Sequence, residues 1–387
     1  MKEFNNLSLE IDIENNKNFL HKCIEDKKIL VIGGAGSIGV SYIKAILGFK
    51  PSKITIVDIN ENGLTELTRD LRSSNLLDYN PLYITYPVSL LSATFDKVFD
   101  SDCWDIVANF SAHKHVRSEK DGISVEALIK NNVFGIIKLL ELCKKNPPKF
   151  FFSVSTDKAA NPVNIMGASK SLMEKLIISK KNNFRVSTAR FANVAFSNGS
   201  LLDGFNYRMR KRQPLSCPSD IKRFFVTNNQ SGHICLLATF LGETGNIFFP
   251  KLDFEKDQIY FKDIALDFLK EKGFEPIKMV SEKEAKNFDI DNNLTKYPIY
   301  FFETDTSGEK GYEEFYSKKE KLNLKKYDSL GFIETADINI SFKDILEDFT
   351  KAFSENNNSK SSAVKVLEKY LPDFNHLERG KNLDQKM

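Results

Sequence analysis

One stretch, an apolar run Lys28 to Ile32 followed at once by Gly33-Gly34-Ala35-Gly36-Ser37-Ile38-Gly39, restricts the fold more than any other. The residues before the glycines read as a buried strand, and the pattern after them reads as an amphipathic helix. Gly33, Gly36 and Gly39 let the backbone approach a pyrophosphate, whose charge meets the unpaired N–H groups of the helix's first turn at Ser37 and Ile38. A second apolar run, Ile54 to Val57, ends at Asp58, nineteen residues beyond Gly39. A carboxylate there accepts hydrogen bonds from the ribose hydroxyls of an adenosine and repels a 2′-phosphate. Strand, glycine loop, helix, strand and acid in this order predict an α/β doubly wound parallel sheet of the Rossmann type, with NAD favoured over NADP as cofactor.

Composition narrows the class further. The chain has 387 residues, 41% of them hydrophobic, which is room for one large or two ordinary domains. A formal charge of +3 supplies no general field for nucleic acid. The densest basic patch, Arg208-Met209-Arg210-Lys211-Arg212, reads either as the solvated end of a helix or as an anion site. Cys23, Cys103, Cys143, Cys217 and Cys235, with five histidines, show no metal-ligand spacing, so no metal site and free thiols are expected. No apolar run approaches the roughly 18 residues of a membrane span, and the polar start is unlike a signal peptide. These features lead to the expectation of a soluble, cytoplasmic protein.

Along the chain, residues 1–26 form a polar arm and 27–190 the dinucleotide-binding domain. Residues 191–354 interleave completion of the sheet with a smaller C-terminal substrate-binding lobe, and 355–387 are a linker and tail, Ser- and Asn-rich from Glu355 to Ser362. Further strands are expected at Tyr83 to Thr85, Asp105 to Phe110, Phe150 to Val154, Phe184 to Arg190 and Tyr300 to Asp305. Between Gly273 and Glu334 the residues suggest no chemistry, and there is no internal repeat.

Past the strand Phe150 to Val154 comes Ser155-Thr156-Asp157-Lys158, then Asn161-Pro162-Val163-Asn164, then a helical pattern running to about Ile178. An acid and an ammonium side by side at a strand's carboxyl end sit where open α/β sheets place their chemistry. Met166 and Lys170, four apart, share one face of that helix. The stretch resembles the active-site segment of extended short-chain dehydrogenase/reductases, specifically nucleotide-sugar 4,6-dehydratases of the polysaccharide-biosynthesis (CapD-like) family. Those carry T-D-K, N-P-x-N and Y/M-G-A-x-K. Asn109 to Val116 resembles their N-x-A-A-x-K-H-V segment, and Arg190 to Ser200 their R-F-x-N-V-x-x-S-x-G-S. Pro214 to Pro218 and Lys222 to Thr227 resemble P-x-T-V and T-R-(Y/F)-F-x-T with substitutions, so the likeness runs from Lys28 to about Phe240.

The resemblance implies a UDP-sugar substrate, most specifically UDP-N-acetylglucosamine, and a product destined for surface glycans. Hydride leaves C4, water is lost across C5–C6, and hydride returns to C6. Thr156, Asp157, Lys158 and Lys170 are the implied catalytic residues, Lys170 also holding the nicotinamide ribose. Ser111 and Ala112 line the nicotinamide side. Lys114, His115 and Met166 lie toward the sugar, and Asn193, Ser200 and Arg223 toward the diphosphate. His113 reads as a hydrogen-bonded helix start, a role that is also open to His115. Asn131-Asn132 would begin the next long helix and tie strand to helix.

Asp157 would protonate the departing C6 hydroxyl and Lys158 would take the C5 proton. Direct pairing of the two would hold the lysine charged, so the side chains are expected to diverge toward substrate. Met166 departs from the tyrosine most relatives have, and a thioether is too weak a base for C4 oxidation. Either the chain is a non-catalytic NAD-binding relative, or the C4 proton passes through Thr156 with Asp157 or a water as relay. A C4 epimerase of the same substrate class is the alternative enzyme. The helices near Val125–Cys143 and Ile165–Ile178 are where such relatives pair through a four-helix bundle, which implies a homo-oligomer, a dimer or higher.

Overall fold

The computed structural model describes residues 4–179, 182–304, 311–336, 338–354 and 360–377. Apolar, β-branched and aromatic runs form the centre of a nine-stranded sheet. Leu82–Pro87, Lys53–Asp58, Lys28–Ile32, Ile106–Asn109, Phe150–Val154, Arg185–Ala189 and Asn246–Pro250 lie side by side in that order, all parallel. Leu330–Glu334 and Lys321–Asn323 extend the far edge antiparallel. Phe150–Val154 is buried along its whole length, as expected of a central parallel strand covered on both faces. Strand order reverses beside Lys28–Ile32, and the crevice at its carboxyl end is the usual ligand position in such sheets. The Rossmann-type sheet and the smaller lobe are therefore both present.

On one face, helix Ser37–Leu47 packs closely on Asn228–Leu241. A methyl group at Gly232 would lie 2.3 Å from the Ser41 carbonyl oxygen, so glycine permits the approach. The other face carries Gly122–Ile129, Lys130–Phe134 and Gly135–Lys145, three segments of one helix, together with Ile165–Ile177. Asn131 and Asn132 therefore lie within a long helix, at a π-helical turn, and do not begin one. The bulge has a local cause, because Asn132 is drawn out to bond three groups outside its own helix. Its Oδ1 accepts from His113 N (2.8 Å), and its Nδ2 donates to His113 O (3.0 Å) and Ser169 Oγ (3.0 Å).

The smaller lobe holds two three-stranded sheets. One joins Gln258–Tyr260, Lys222–Val226 and Asn193–Val194; the other joins Glu275–Met279, Lys296–Phe302 and Leu215–Pro218. The strand expected at Tyr300 to Asp305 thus starts earlier and ends at Phe302, and Asp305 lies outside the described residues. The N-terminal arm forms helices Leu9–Asn15 and Lys17–Ile24. Buried Asp12 pins it by accepting from Asp328 N (2.8 Å) and Ser329 N (2.7 Å).

Helices Phe342–Ser354 and Lys360–Tyr370 pack over the layer formed by Gly122–Lys145 and Ile165–Ile177. Ile345, Phe349, Ala363 and Leu367 join Val125, Leu128, Leu172 and Leu176 in one apolar cluster. The sequence reading expects a second copy at these helices; the chain's own C-terminal pair also packs on them. Residues 355–359 of the expected linker and 378–387 of the tail lie outside the described residues. Among the described residues no helix is long and apolar enough to cross a membrane, and no cluster of three or more His, Cys, Asp or Glu side chains could hold a metal.

Candidate active site

The glycine loop is built by close approach. Gly33 has φ of 72°, and a methyl group on it would lie 2.4 Å from Ser111 N, so the loop rests on the exit of Ile106–Asn109. Gly39 likewise lies against the Gly33 carbonyl oxygen, 2.5 Å from where its methyl group would be. Gly36 caps helix Ser37–Leu47 with no side chain, leaving the first-turn amides of Ser37 and Ile38 directed at the crevice mouth. Asp58 braces the loop: Oδ2 accepts from Ala35 N and Oδ1 from Asn60 N, both at 2.9 Å. This cradle fits a dinucleotide pyrophosphate, because any side chain on Gly33 would collide with backbone. Ser111 N bonds Asn109 Oδ1 (3.1 Å) and its Oγ reaches Asn131 Oδ1 (3.3 Å), with Ala112 beside it at the strand exit.

Four expected substrate residues come from this side and from the lobe. Exposed Lys114 donates to Asn198 O at 2.9 Å, and His115 lies near Gly199, whose φ of 73° and lack of a side chain bring the loop close. Asn198 N in turn donates to Ser37 Oγ (2.8 Å), joining the 196–200 loop to the glycine loop. Ser200 caps helix Leu201–Arg210. Asn193 Nδ2 reaches Phe224 O at 3.4 Å.

The Thr156–Ala159 turn follows from local capping. Thr156 caps the 3-10 turn Asp157–Ala159 and donates from Oγ1 to Asp157 Oδ1 at 2.8 Å. Asn164 then caps helix Ile165–Ile177 by accepting from Gly167 N. Gly167 lets this helix lie on the turn: a methyl group there would sit 2.5 Å from the Lys158 carbonyl oxygen. Gly167→Ala is therefore expected to cost about 1–3 kcal/mol by overpacking against backbone. Thermal unfolding checks this, with a fall in melting temperature accompanied by displacement of the Asp157–Lys158 turn.

Asp157 and Lys158 do not diverge. Lys158 Nζ lies 3.0 Å from Asp157 Oδ1, the two side chains being 18% and 2% exposed respectively. In so enclosed a place the charges gain more from each other than from divided contact with water. A second carboxylate adds to this: Glu313 Oε1 lies 3.5 Å from Lys158 Nζ, and its side chain is 4% exposed. Burial works to lower the lysine's pKa, but Asp157 and Glu313 outweigh it and hold Lys158 above its ordinary value, against Arg223. Asp157 Oδ2 is buried with no hydrogen-bond partner.

The remaining predicted residues are placed as follows. Met166 is buried in the apolar cluster, its amide held by buried Glu119 (2.8 Å), so its thioether packs as core. Lys170 donates to Val154 O at 2.9 Å and approaches Met173 Sδ; burial lowers its pKa to about 8, against the charge of Glu174. Arg223 is spent on protein groups, donating to Lys222 O (2.8 Å) and Gly311 O (3.3 Å) and lying 3.8 Å from Glu313 Oε1. Glu313, far along the chain in the stretch to which the sequence assigned no chemistry, is the residue sequence reading missed. No local spacing signals a contact that only the folded lobe creates.

A further buried network holds that segment. Arg190 pairs with Glu174 through Nε (2.9 Å) and a terminal nitrogen (2.7 Å), donates to Phe315 O (3.0 Å), and meets Glu320 at 2.9 Å.

Residues 29–335 match the model of the polysaccharide biosynthesis protein family. The chain belongs to this family. Its fold and motifs place it among the extended short-chain dehydrogenase/reductases. The chain is 30% identical over 316 residues to an uncharacterized membrane protein of Methanocaldococcus jannaschii, covering 79% of this chain and 85% of that one. It is 30% identical to the UDP-N-acetylglucosamine 4,6-dehydratase (inverting) of Campylobacter jejuni, over 58% of this chain and 67% of that enzyme. With the capsular polysaccharide biosynthesis protein CapD of Staphylococcus aureus it shares 26% identity over 88% of its own length, spanning about half (54%) of CapD. The structure of Pen from Bacillus thuringiensis superposes with a TM-score of 0.64 at 22% identity, over 82% of this chain and 89% of that one, a likeness of fold. The family match ends at residue 335, before both C-terminal helices.

Proposed function

We propose that this family member is an NAD-dependent nucleotide-sugar 4,6-dehydratase acting on UDP-N-acetylglucosamine and serving surface-glycan synthesis. The observation that carries the reading is the enclosed Thr156–Asp157–Lys158 turn, with a buried carboxylate oxygen left without a donor. An orphaned buried acceptor is costly unless a ligand completes it, and a sugar hydroxyl is a donor of the right kind. The Campylobacter relative supports the substrate.

NAD, when bound, supplies the hydride acceptor at C4 and the donor at C6. The C4 hydroxyl proton passes through the Thr156 hydroxyl to Asp157, along the hydrogen bond that already joins them. Asp157 then gives this proton to the C6 hydroxyl, which leaves as water, while Lys158 takes the C5 proton and later returns it. Met166 takes no part, which fits its place in the core. Lys170 contributes positive potential, and Lys114, His115, Asn193 and Ser200 are assigned to the nucleotide-sugar side; Arg223, engaged by Lys222, Gly311 and Glu313, is not.

The cofactor assignment has its own test. Asp58→Ala removes the ribose acceptor and the brace on Ala35, so NAD binding should weaken by about 1.5–3 kcal/mol, with discrimination against NADP relaxed. Calorimetry measures both, and a wild type that binds NADP tighter than NAD overturns the assignment. The reaction is tested by incubating the protein with UDP-N-acetylglucosamine in D₂O and following products by NMR and mass spectrometry. Loss of water with deuterium at C5 is expected. A C4 epimer that retains its C6 oxygen would instead mark an epimerase.

A further inference from the structure

Lys158 poses a problem for the reaction just proposed, on which the following rests. A C5 base must start as a neutral amine, yet Lys158 is enclosed with two carboxylates and held as an ammonium. Its proton must be put somewhere while it accepts the one from carbon. Asp157 is already committed, since it carries the C4 proton onward to the C6 oxygen. The other neighbour is Glu313, whose burial favours the neutral acid and offsets the opposing pull of the Arg223 guanidinium. Its side chain is 4% exposed and meets the Lys158 ammonium at 3.5 Å and the Arg223 guanidinium at 3.8 Å.

The segment that carries it is fixed at several points. The Gly311 carbonyl accepts from Lys222 N (3.2 Å) and Arg223. The Phe315 carbonyl accepts from Arg190, and the Phe315 ring packs 5.0 Å from that of Phe224. Glu320, gripped by Arg190, closes the segment by accepting from Ser317 N at 2.6 Å. A carboxylate on so firmly held a backbone is placed for a purpose that a mobile surface acid could not serve.

We propose that Glu313 is the positioning residue that holds the Lys158 proton during each turnover. The ammonium passes one proton to the Glu313 carboxylate, giving amine and carboxylic acid with no change in net charge. The amine takes the C5 proton as water departs from C6. After hydride has returned to C6, Lys158 gives a proton back to C5, and Glu313 returns the stored proton to the amine. Both protons are conserved and no further reactant is needed. Because the exchange is internal, solvent pH does not drive it. Asp157, Arg223 and Glu313 are the charged groups facing Lys158, and of the two carboxylates Asp157 already carries the C4 proton.

The test is the full chain carrying Glu313→Gln, loaded with NAD. Without the carboxylate, Lys158 must lose its proton to solvent, so activity acquires a dependence on pH that the wild type lacks at this step. The ratio of wild-type to variant kcat should fall about tenfold for each pH unit raised, until the variant lysine deprotonates. Glu313→Asp keeps the carboxylate and should restore the wild-type profile at a lower rate. Independently of turnover, ¹³C-lysine NMR, with Lys158 assigned through Lys158→Arg, should show a lower titration midpoint in Glu313→Gln, because removing an anion disfavours the ammonium. A Glu313→Gln protein with unchanged kcat, or with the same loss at every pH, overturns the role of Glu313 while leaving the dehydratase reading intact. A wild type that dehydrates no UDP-sugar overturns that reading instead, whatever the NMR midpoint does.

Discussion

Asp157→Asn is expected to stop water loss while leaving the fold and cofactor binding in place. The amide has nearly the volume of the acid, and its oxygen can keep the bonds from the Thr156 hydroxyl and Lys158 that now reach Oδ1. Its nitrogen would then occupy the place of the unpartnered Oδ2 and offer a hydrogen bond to substrate, but it cannot relay a proton. Both the C4 and the C6 steps depend on that relay, so the rate should drop on the order of 10²–10⁴ with little reduced nicotinamide formed. Product release measured by NMR, beside calorimetry for NAD, checks both parts. Wild-type turnover in this variant would sink the assignment of the acid.

Lys158→Met should fail differently. It removes the C5 base but spares Thr156 and Asp157, so C4 oxidation can proceed and stall. Reduced nicotinamide should accumulate on the protein and be read from its absorbance, with overall turnover again lower on the order of 10²–10⁴. The structure adds a warning that sequence could not. Removing the ammonium leaves Asp157 and Glu313 as neighbouring buried carboxylates, and breaking a buried ion pair one-sidedly costs about 3–5 kcal/mol. The variant should therefore melt well below wild type, and Lys158→Met combined with Glu313→Gln should recover part of that loss. Accumulation in Lys158→Met but not in Asp157→Asn divides the two roles as proposed.

Local patterns carried most of the sheet. Lys28 to Ile32 and Phe150 to Val154 were readable to the residue because central parallel strands are continuous apolar runs bounded by glycine or by polar caps. The helix at Ile165 was readable from the helical pattern that runs to about Ile178, and in the structure Asn164 caps it. Asn131 and Asn132 misled, since a pair of asparagines resembles a helix start. Only the bonds to His113 and Ser169 explain why they sit at a π turn instead. The pairing of Asp157 with Lys158 was misjudged for a related reason. Adjacent residues reveal nothing about a third charge brought in by a distant segment, and Glu313 adds to the hold of Asp157 on the lysine. Arg190 belongs to the same class: its motif was plain, but its grip on Glu320 exists only once the lobe has folded back.

The helix pair Phe342–Ser354 and Lys360–Tyr370 has a consequence for how this molecule withstands dilution. An apolar layer shielded by another subunit is shielded only as far as mass action allows, so its integrity tracks how much protein is present. Here the shield is tethered, and its effective molarity is set by the length of the connecting chain. Lys175 holds the Tyr370 carbonyl at 2.9 Å, and Leu377 N holds the Val163 carbonyl at 2.9 Å, directly before the active-site helix. The brace behind Asp157 and Lys158 thus forms by a first-order event within one polypeptide, as complete in a scarce protein as in an abundant one.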